Sequence, residues 1–247
     1  MFLKSVEKTF MVLECFGHES MPLSLAKIAL AANVDRSGAQ RVCHTLHALG
    51  YLERDPEERG WIPGKRVLDR SFDYLRYNPL VQHAMPIIGE LRRDTGERVD
   101  LSLFDDLTIV YAIRMQSKRQ TFSATLVGRR MPTFMSSGGR AMLACLPDDE
   151  VQSILRRSDR KPITSKTITS IPKILGKVEE ARRDGYAFAR EEGLLGEIVL
   201  AAAICNRQGR PIAAIHVAGS LSEWSVPDFR QKMHPLAIAA ARALSDG

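Results

Sequence analysis

The chain has 247 residues, 45% of them hydrophobic and 26% charged, an ordinary globular composition with room for one large domain or two smaller ones and enough apolar residues for a real core. Its longest apolar run, IVLAAAIC at 198–205, falls far below the roughly 18 residues a membrane helix needs, and Lys4, Glu7 and Lys8 interrupt the apolar start. Composition therefore excludes a membrane span and a signal peptide, and points to the cytoplasm. A net charge of +6 suits an anionic partner, but residues 1–78 carry 11 Lys and Arg against 10 Asp and Glu, whereas 79–247 carry 24 against 19. Bulk charge does not single out either part, so placement has to decide.

In chain order, SVEKTFMVLECFG puts Val6, Phe10, Leu13 and Phe16 at helical intervals, with Ser5 as candidate N-cap and Gly17 as stop. Ser24 can cap a second helix, LAKIALAA, in which Leu25, Ile28 and Ala29 face inward. After a short turn at Asn33 and Val34, Asp35 or Ser37 caps a third helix, with Gln40 placed as in a capping box. Val42, Cys43, Leu46 and Leu49 form its buried stripe, leaving Arg36, Ser37, Gln40, Arg41 and His44 on the other side. Two short helices joined by a tight turn, the second with a polar face, form a helix-turn-helix, whose second helix enters the major groove. LGYLERDPEERGWIPG follows as a two-stranded ribbon, a wing on which Arg54 and Arg59 are placed to lie along a phosphate backbone or a minor groove.

A helix over 80–94 leads into two alternating strands, RVDLSLF and LTIVYAIRM, joined at Asp105-Asp106, and a third, QTFSATLV. MSSGGRAML at 135–143 reads as a turn opening a helix, which would aim unpaired backbone N–H groups at a carboxylate. The bland alternative is that Gly138 and Gly139 only allow a tight turn or a close helix contact. YAFAREE, EIVLAAAICN and RPIAAIHVAG complete an α+β domain, closed by the helix DFRQKMHPLAIAAARAL with Pro235 inside it. His216 alternates with Ile215 and Val217 in an apolar strand, which suits either a satisfied core histidine or a ligand contact.

Cys15, Cys43, Cys145 and Cys205 make no Cys-x-x-Cys pair and read as small buried hydrophobes. His44 and His47 lack a third ligand at metal spacing, so no metal site and no cofactor are expected. Ser136, Ser137, Glu192 and His216 can be imagined as an acyl-transfer set, but the chain has no G-x-S-x-G elbow, no phosphate loop and no H-E-x-x-H. The expectation is a protein that is not an enzyme. The alternatives are a small-molecule-binding enzyme or a ligand-binding module without DNA, either using the Ser136–Gly139 loop.

The order of segments resembles one family. SVEKTFMVLECF, PLSLAKIALAANVDRSGAQRVCHTLHALGYLERD and IPGKRVLD resemble the winged helix-turn-helix of the IclR family of bacterial transcriptional regulators. TGERVDLSLFDD, VGRRMPTFMSSGGRAMLACLPDDE, TSKTITS, ARRDGYAFAREEG and GRPIAAIHVAG resemble its effector-binding domain. The resemblance implies a DNA-binding domain at 1–63, a linker helix at 64–78 broken at Asn78-Pro79, and a GAF- or PAS-like antiparallel-sheet domain at 79–247 that holds a small organic acid. It also implies a homodimer, or a pair of dimers, on double-stranded operator DNA beside catabolic genes, with repression the expected sign.

By matching positions, Arg36, Ser37, Gln40, Arg41, His44 and Thr45 would face DNA, arginine suiting guanine and glutamine adenine, with Ser37 and Thr45 on phosphates. The family more often has Ser-Thr where this chain has Ser37-Gly38, so one backbone-positioning hydroxyl is missing. The effector pocket would take Met135, Ser136, Ser137, Gly138, Gly139, Glu192, Ala203, His216 and Ala218. The lining VLAAAI, where many relatives carry cysteine or proline, is small and dry and suggests an aromatic or partly apolar carboxylic acid.

Overall fold

The computed structural model describes every residue except 18–20, 58, 118–126 and 246–247. The chain divides into two compact units, Met1–Arg76 and Tyr77–Gly247.

The first unit holds α1 (Lys4–Glu14), α2 (Leu25–Ala31), α3 (Arg36–Ala48), strands β1 (Leu52–Arg54) and β2 (Trp61–Pro63), and α4 (Arg66–Tyr77), whose last residue lies just past the division. The α2–α3 turn passes through Asn33 in the left-handed region, where asparagine is tolerated. Ser24 caps α2 through the Lys27 N–H, and Asp35 caps α3 through the Gly38 N–H at 2.7 Å. Ser37 is thus inside the helix, its hydroxyl donated to Asp35 at 2.8 Å, and the capping box expected at Ser37 and Gln40 does not form. The core is Val12, Phe16, Ile28, Ala39, Cys43 and Leu46 closed over by Leu52 and Trp61 of the ribbon.

Two expected stripes are corrected. On α1 the buried residue is Val12, with Cys15 and Phe16 in the 3-10 turn that follows, while Val6 and Phe10 are exposed. The helix starts one residue before Ser5, with Leu3 as an N-cap that makes no side-chain bond. On α3 the stripe is Ala39, Cys43 and Leu46, and Leu49 is exposed past the helix end. In both cases periodicity alone left two apolar stripes available on one helix, and packing selected one of them.

The second unit opens with α5 (Pro79–Thr95), capped by Asn78 through Val81 and stopped at the left-handed Gly96. Among the described residues six antiparallel strands follow: β3 (Arg98–Asp105), β4 (Thr108–Met115), β5 (Arg130–Pro132), β6 (Ala187–Arg190), β7 (Glu197–Cys205) and β8 (Pro211–Ser220), in the order β5-β4-β3-β8-β7-β6. The strand expected over 120–127 falls, but for its last residue, outside the described residues. Helices α6 (Ser137–Leu143), α7 (Asp148–Arg157) and α8 (Ile171–Asp184) lie between β5 and β6, and α9 (Val226–Ser245) ends the unit. The sequence reading anticipated α6 but not α7 or α8. One sheet face is covered by α5 and α9: Gly219 abuts Phe229 and Trp224. The other takes α6, through Ala141 against Ala201 and Met142 in the core with Tyr111 and Ala214.

Candidate nucleic-acid interface and effector pocket

On α3 the side chains of Arg36, Ser37, Gln40, Arg41, His44 and Thr45 are all exposed. They divide by what they already bond. Ser37 donates to Asp35, and Thr45 donates to the Arg41 carbonyl at 2.9 Å. Each hydroxyl has one proton, so neither can donate to a phosphate without giving up that bond. Arg36, Gln40, Arg41 and His44 have no hydrogen-bond or ion-pair partner among the described residues, so their donors are presented to solvent. A helix anchored by Ala39, Cys43 and Leu46 and topped by these four side chains has the chemistry that reads base edges.

The wing is less free than expected. Asp55, buried in the turn, accepts from the Arg59 Nε at 3.0 Å, and Glu57 pairs with the same guanidinium at 3.1 Å. That hydrogen bond holds the Asp55 carboxyl below the usual carboxylate range. Arg59 therefore closes the wing turn while its side chain stays 57% exposed. The Arg54 guanidinium stacks 3.7 Å from the Trp61 ring centroid and keeps its edge in solvent. His47 packs edge-on against Trp61 and bonds the Leu52 carbonyl through Nδ1 at 3.0 Å, tying α3 to the wing.

In the second unit, antiparallel register places Arg98 opposite Ala218, Asp100 opposite His216, and Ser102 opposite Ala214, all on the face that receives α6. His216 is 1% exposed. Its Nε2 lies 2.7 Å from the Ser102 Oγ and its Nδ1 3.5 Å from the Ser137 Oγ, one serine donating and the other accepting to a neutral ring. Burial, with the Arg98 charge adding to it, depresses its pKa to about 3, so the ring is neutral at physiological pH.

The Ser136–Gly139 turn is buried. Ser136 caps α6 by accepting the Gly139 N–H at 3.0 Å. A Cβ on Gly138 would stand 2.3 Å from His216 Cε1, and one on Gly139 would stand 2.1 Å from the Thr133 carbonyl oxygen. Both glycines are there because α6 seats directly on the sheet and on its own preceding turn.

Glu192 is 4% exposed and committed to Arg140, a residue the sequence reading passed over. The pair is bidentate at 2.5 and 2.7 Å, Arg140 also donates to the Phe134 carbonyl, and Glu192 takes the Ile168 N–H. Glu192 therefore anchors α6, its carboxylate already held by Arg140 and the Ile168 N–H. An arginine inside the apolar run RAML was the available signal, since a fully buried cation requires an anion. Met135 and Ala203 pack in the adjoining core, whereas Ala218 lies at a cleft lined by Glu97, Arg98, Glu197, Gly219 and Ser220. There Arg98 bonds Asp100 at 3.0 Å and Glu197 at 2.6 Å, and burial pushes the Asp100 carboxyl above its ordinary value.

Two family models cover most of the chain. Residues 72–246 match the family model described as bacterial transcriptional regulator IclR C-terminal, and residues 5–56 match the IclR helix-turn-helix domain. The chain is 24% identical over 245 residues to the HTH-type transcriptional regulator XynR of Escherichia coli (strain K12), covering 98% of this chain and 97% of that protein. It is 26% identical over 244 residues to the Pca regulon regulatory protein of Pseudomonas putida, covering 98% and 83%. A transcriptional regulator structure from Rhodococcus sp. RHA1 superposes with a TM-score of 0.82 at 27% identity, covering 99% and 98%. An IclR homologue from Microbacterium hydrocarbonoxydans complexed with 4-hydroxybenzoate shares the fold at a TM-score of 0.77 and 21% identity, covering 98% of each chain.

Proposed function

The chain belongs to the IclR family of bacterial transcriptional regulators, and from that premise we propose that it is a cytoplasmic, ligand-responsive repressor of catabolic genes that binds operator DNA as a homodimer and senses a small carboxylic acid. The observation that carries the DNA reading is the outward face of α3, where Arg36, Gln40, Arg41 and His44 present donors with no internal partner. Arg36 and Arg41 suit guanine, Gln40 suits adenine, and Arg54 reaches the flanking backbone from the wing.

Dimerisation is supported by apolar surface that the first unit leaves uncovered. Phe10 of α1 and Phe72 of α4 are 55% and 60% exposed, with Val6 and Leu68 also exposed, and α4 buries none of its residues. A second copy of the chain is the occupant, since two recognition helices on one duplex require a paired protein.

For the effector, the reading rests on the face that receives α6; Arg98 at the Ala218 cleft is already paired with Asp100 and Glu197 and is not a free cation for the acid. Ser137, Gly138 and His216 form the buried wall at that face, and Met135, Ser136, Gly139 and Ala203 pack around them. The dry lining and the 4-hydroxybenzoate held by a homologue of the same fold favour an aromatic acid as the first probe. Such a ligand regulates only by preferring the free or the DNA-bound protein, typically by about 1–3 kcal/mol of coupling.

Fluorescence anisotropy on the DNA beside the protein's own gene, across a salt series and a panel of carboxylic acids including 4-hydroxybenzoate, tests the reading. Sequence-selective binding that Arg41→Ala abolishes and one acid alters supports it. Weak binding to every fragment, lost at modest salt, overturns it.

A further inference from the structure

Four cations of the first unit are already engaged by neighbours: Arg59 by Asp55 and Glu57, the face of Arg54 by the Trp61 ring, Arg66 by the Leu49 carbonyl, and Arg70 by Asp73. Three that are not converge on one place. Lys4 and Lys8 of α1 and Arg41 of α3 line an open groove between the two helices, together with Val42 and Thr45, and none of the three cations has an ion-pair partner among the described residues. The groove contains one carboxylate, Asp35, which is turned to the Gly38 N–H and the Ser37 hydroxyl. Three positive charges against one negative leave a local excess of two, in a unit whose overall balance is close to neutral.

The groove flanks the recognition face along the Arg41–Thr45 side of α3. With α3 seated in a major groove, the element on its flank meets the sugar–phosphate backbone that borders that groove. Helix α1 itself gains nothing from Lys4, because a cation in the first turn opposes the helix dipole. Lys4 and Lys8 stand four apart, so both project on the same side of α1.

We propose that Lys4 and Lys8 form a phosphate clamp on the operator backbone, a second DNA contact surface built on α1 beside the recognition helix. It rests on the regulator reading above and assigns the clamp no part in base discrimination. The occupant is the phosphodiester backbone of duplex DNA, since the groove is open, cationic and continuous with the base-reading face.

The test is the salt dependence of operator binding by the full-length protein, for wild type and for Lys4→Gln/Lys8→Gln. Each lost phosphate contact lowers the slope of log K against log salt by about 0.9, so the double variant is expected to lose roughly 1.8. The rank order of mutated operator sequences should stay as in wild type, and Lys4→Arg/Lys8→Arg should keep the wild-type slope. Both lysines are exposed, so thermal stability is expected to hold. A double variant that binds the operator with an unchanged slope overturns the clamp alone. A wild-type protein with no selective binding overturns the regulator reading and the clamp with it.

Discussion

Replacing Gly138 by alanine tests whether the α6 turn is seated on His216. The added Cβ would lie 2.3 Å from His216 Cε1, 2.4 Å from Nε2 and 3.2 Å from the Ala214 Cβ, against the roughly 3.5–4.0 Å at which carbon atoms pack. The backbone of α6 is held by the Ser136 cap and by Arg140, so the ring is what has to move, and moving it breaks the 2.7 Å bond to Ser102 inside the core. Overpacking costs about 1–3 kcal/mol, and a buried polar group left unsatisfied costs a further ~1–3. The expected loss for Gly138→Ala is therefore about 2–6 kcal/mol, measured by urea unfolding.

The cause is isolated by a double-mutant cycle with His216→Ala. Removing the ring relieves the clash, so Gly138→Ala should be milder by at least ~1 kcal/mol in the His216→Ala background. Operator binding at saturating folded protein should be retained in both variants while the response to acid is lost. An additive cycle, or a Gly138→Ala variant as stable as wild type, would refute the seating argument.

Glu192→Gln leaves Arg140 buried without its counter-charge and should cost about 3–5 kcal/mol of stability, whereas Arg140→Met/Glu192→Leu should recover much of that; calorimetry showing the single variant no worse than the double would contradict this. His216 stays neutral down to about 3 when folded but takes its proton near 6.5 when unfolded. Its contribution is thus intact above pH 6.5 and is lost as pH falls toward 3, by roughly 2 kcal/mol at pH 5, and His216→Gln should flatten that part of the stability profile. Phe10→Glu puts a charge into the exposed stripe of α1, so sedimentation should show a monomer with much weaker operator binding; an unchanged dimer mass would place the interface elsewhere.

Local chemistry made much of this protein legible from sequence. The Ser24 cap and the Asn78-Pro79 break act on the nearest few amides, and alternation in RVDLSLF or LTIVYAIRM reports one strand's two faces. The polar face of α3 and the helix opening at Ser136 and Ser137 follow from the same short-range rules. What remained open depended on partners distant in sequence. Apolar residues on α1 and α3 offered two stripes each, and only packing chose Val12 over Phe10 and Ala39 over Leu49. Glu192 lies 52 residues from Arg140, and His216 lies 114 from Ser102; no periodicity relates such positions, because sheet register and the seat of α6 bring them together. The same holds for Lys4, Lys8 and Arg41, whose charges cancel in any count along the chain but gather where two helices cross. Sequence determines which side chains carry charge and which backbone positions bend, since those are properties of one residue and its neighbours. Tertiary structure decides which charges are consumed internally and which are left facing solvent, since that is set by desolvation and distance between segments the chain order keeps apart.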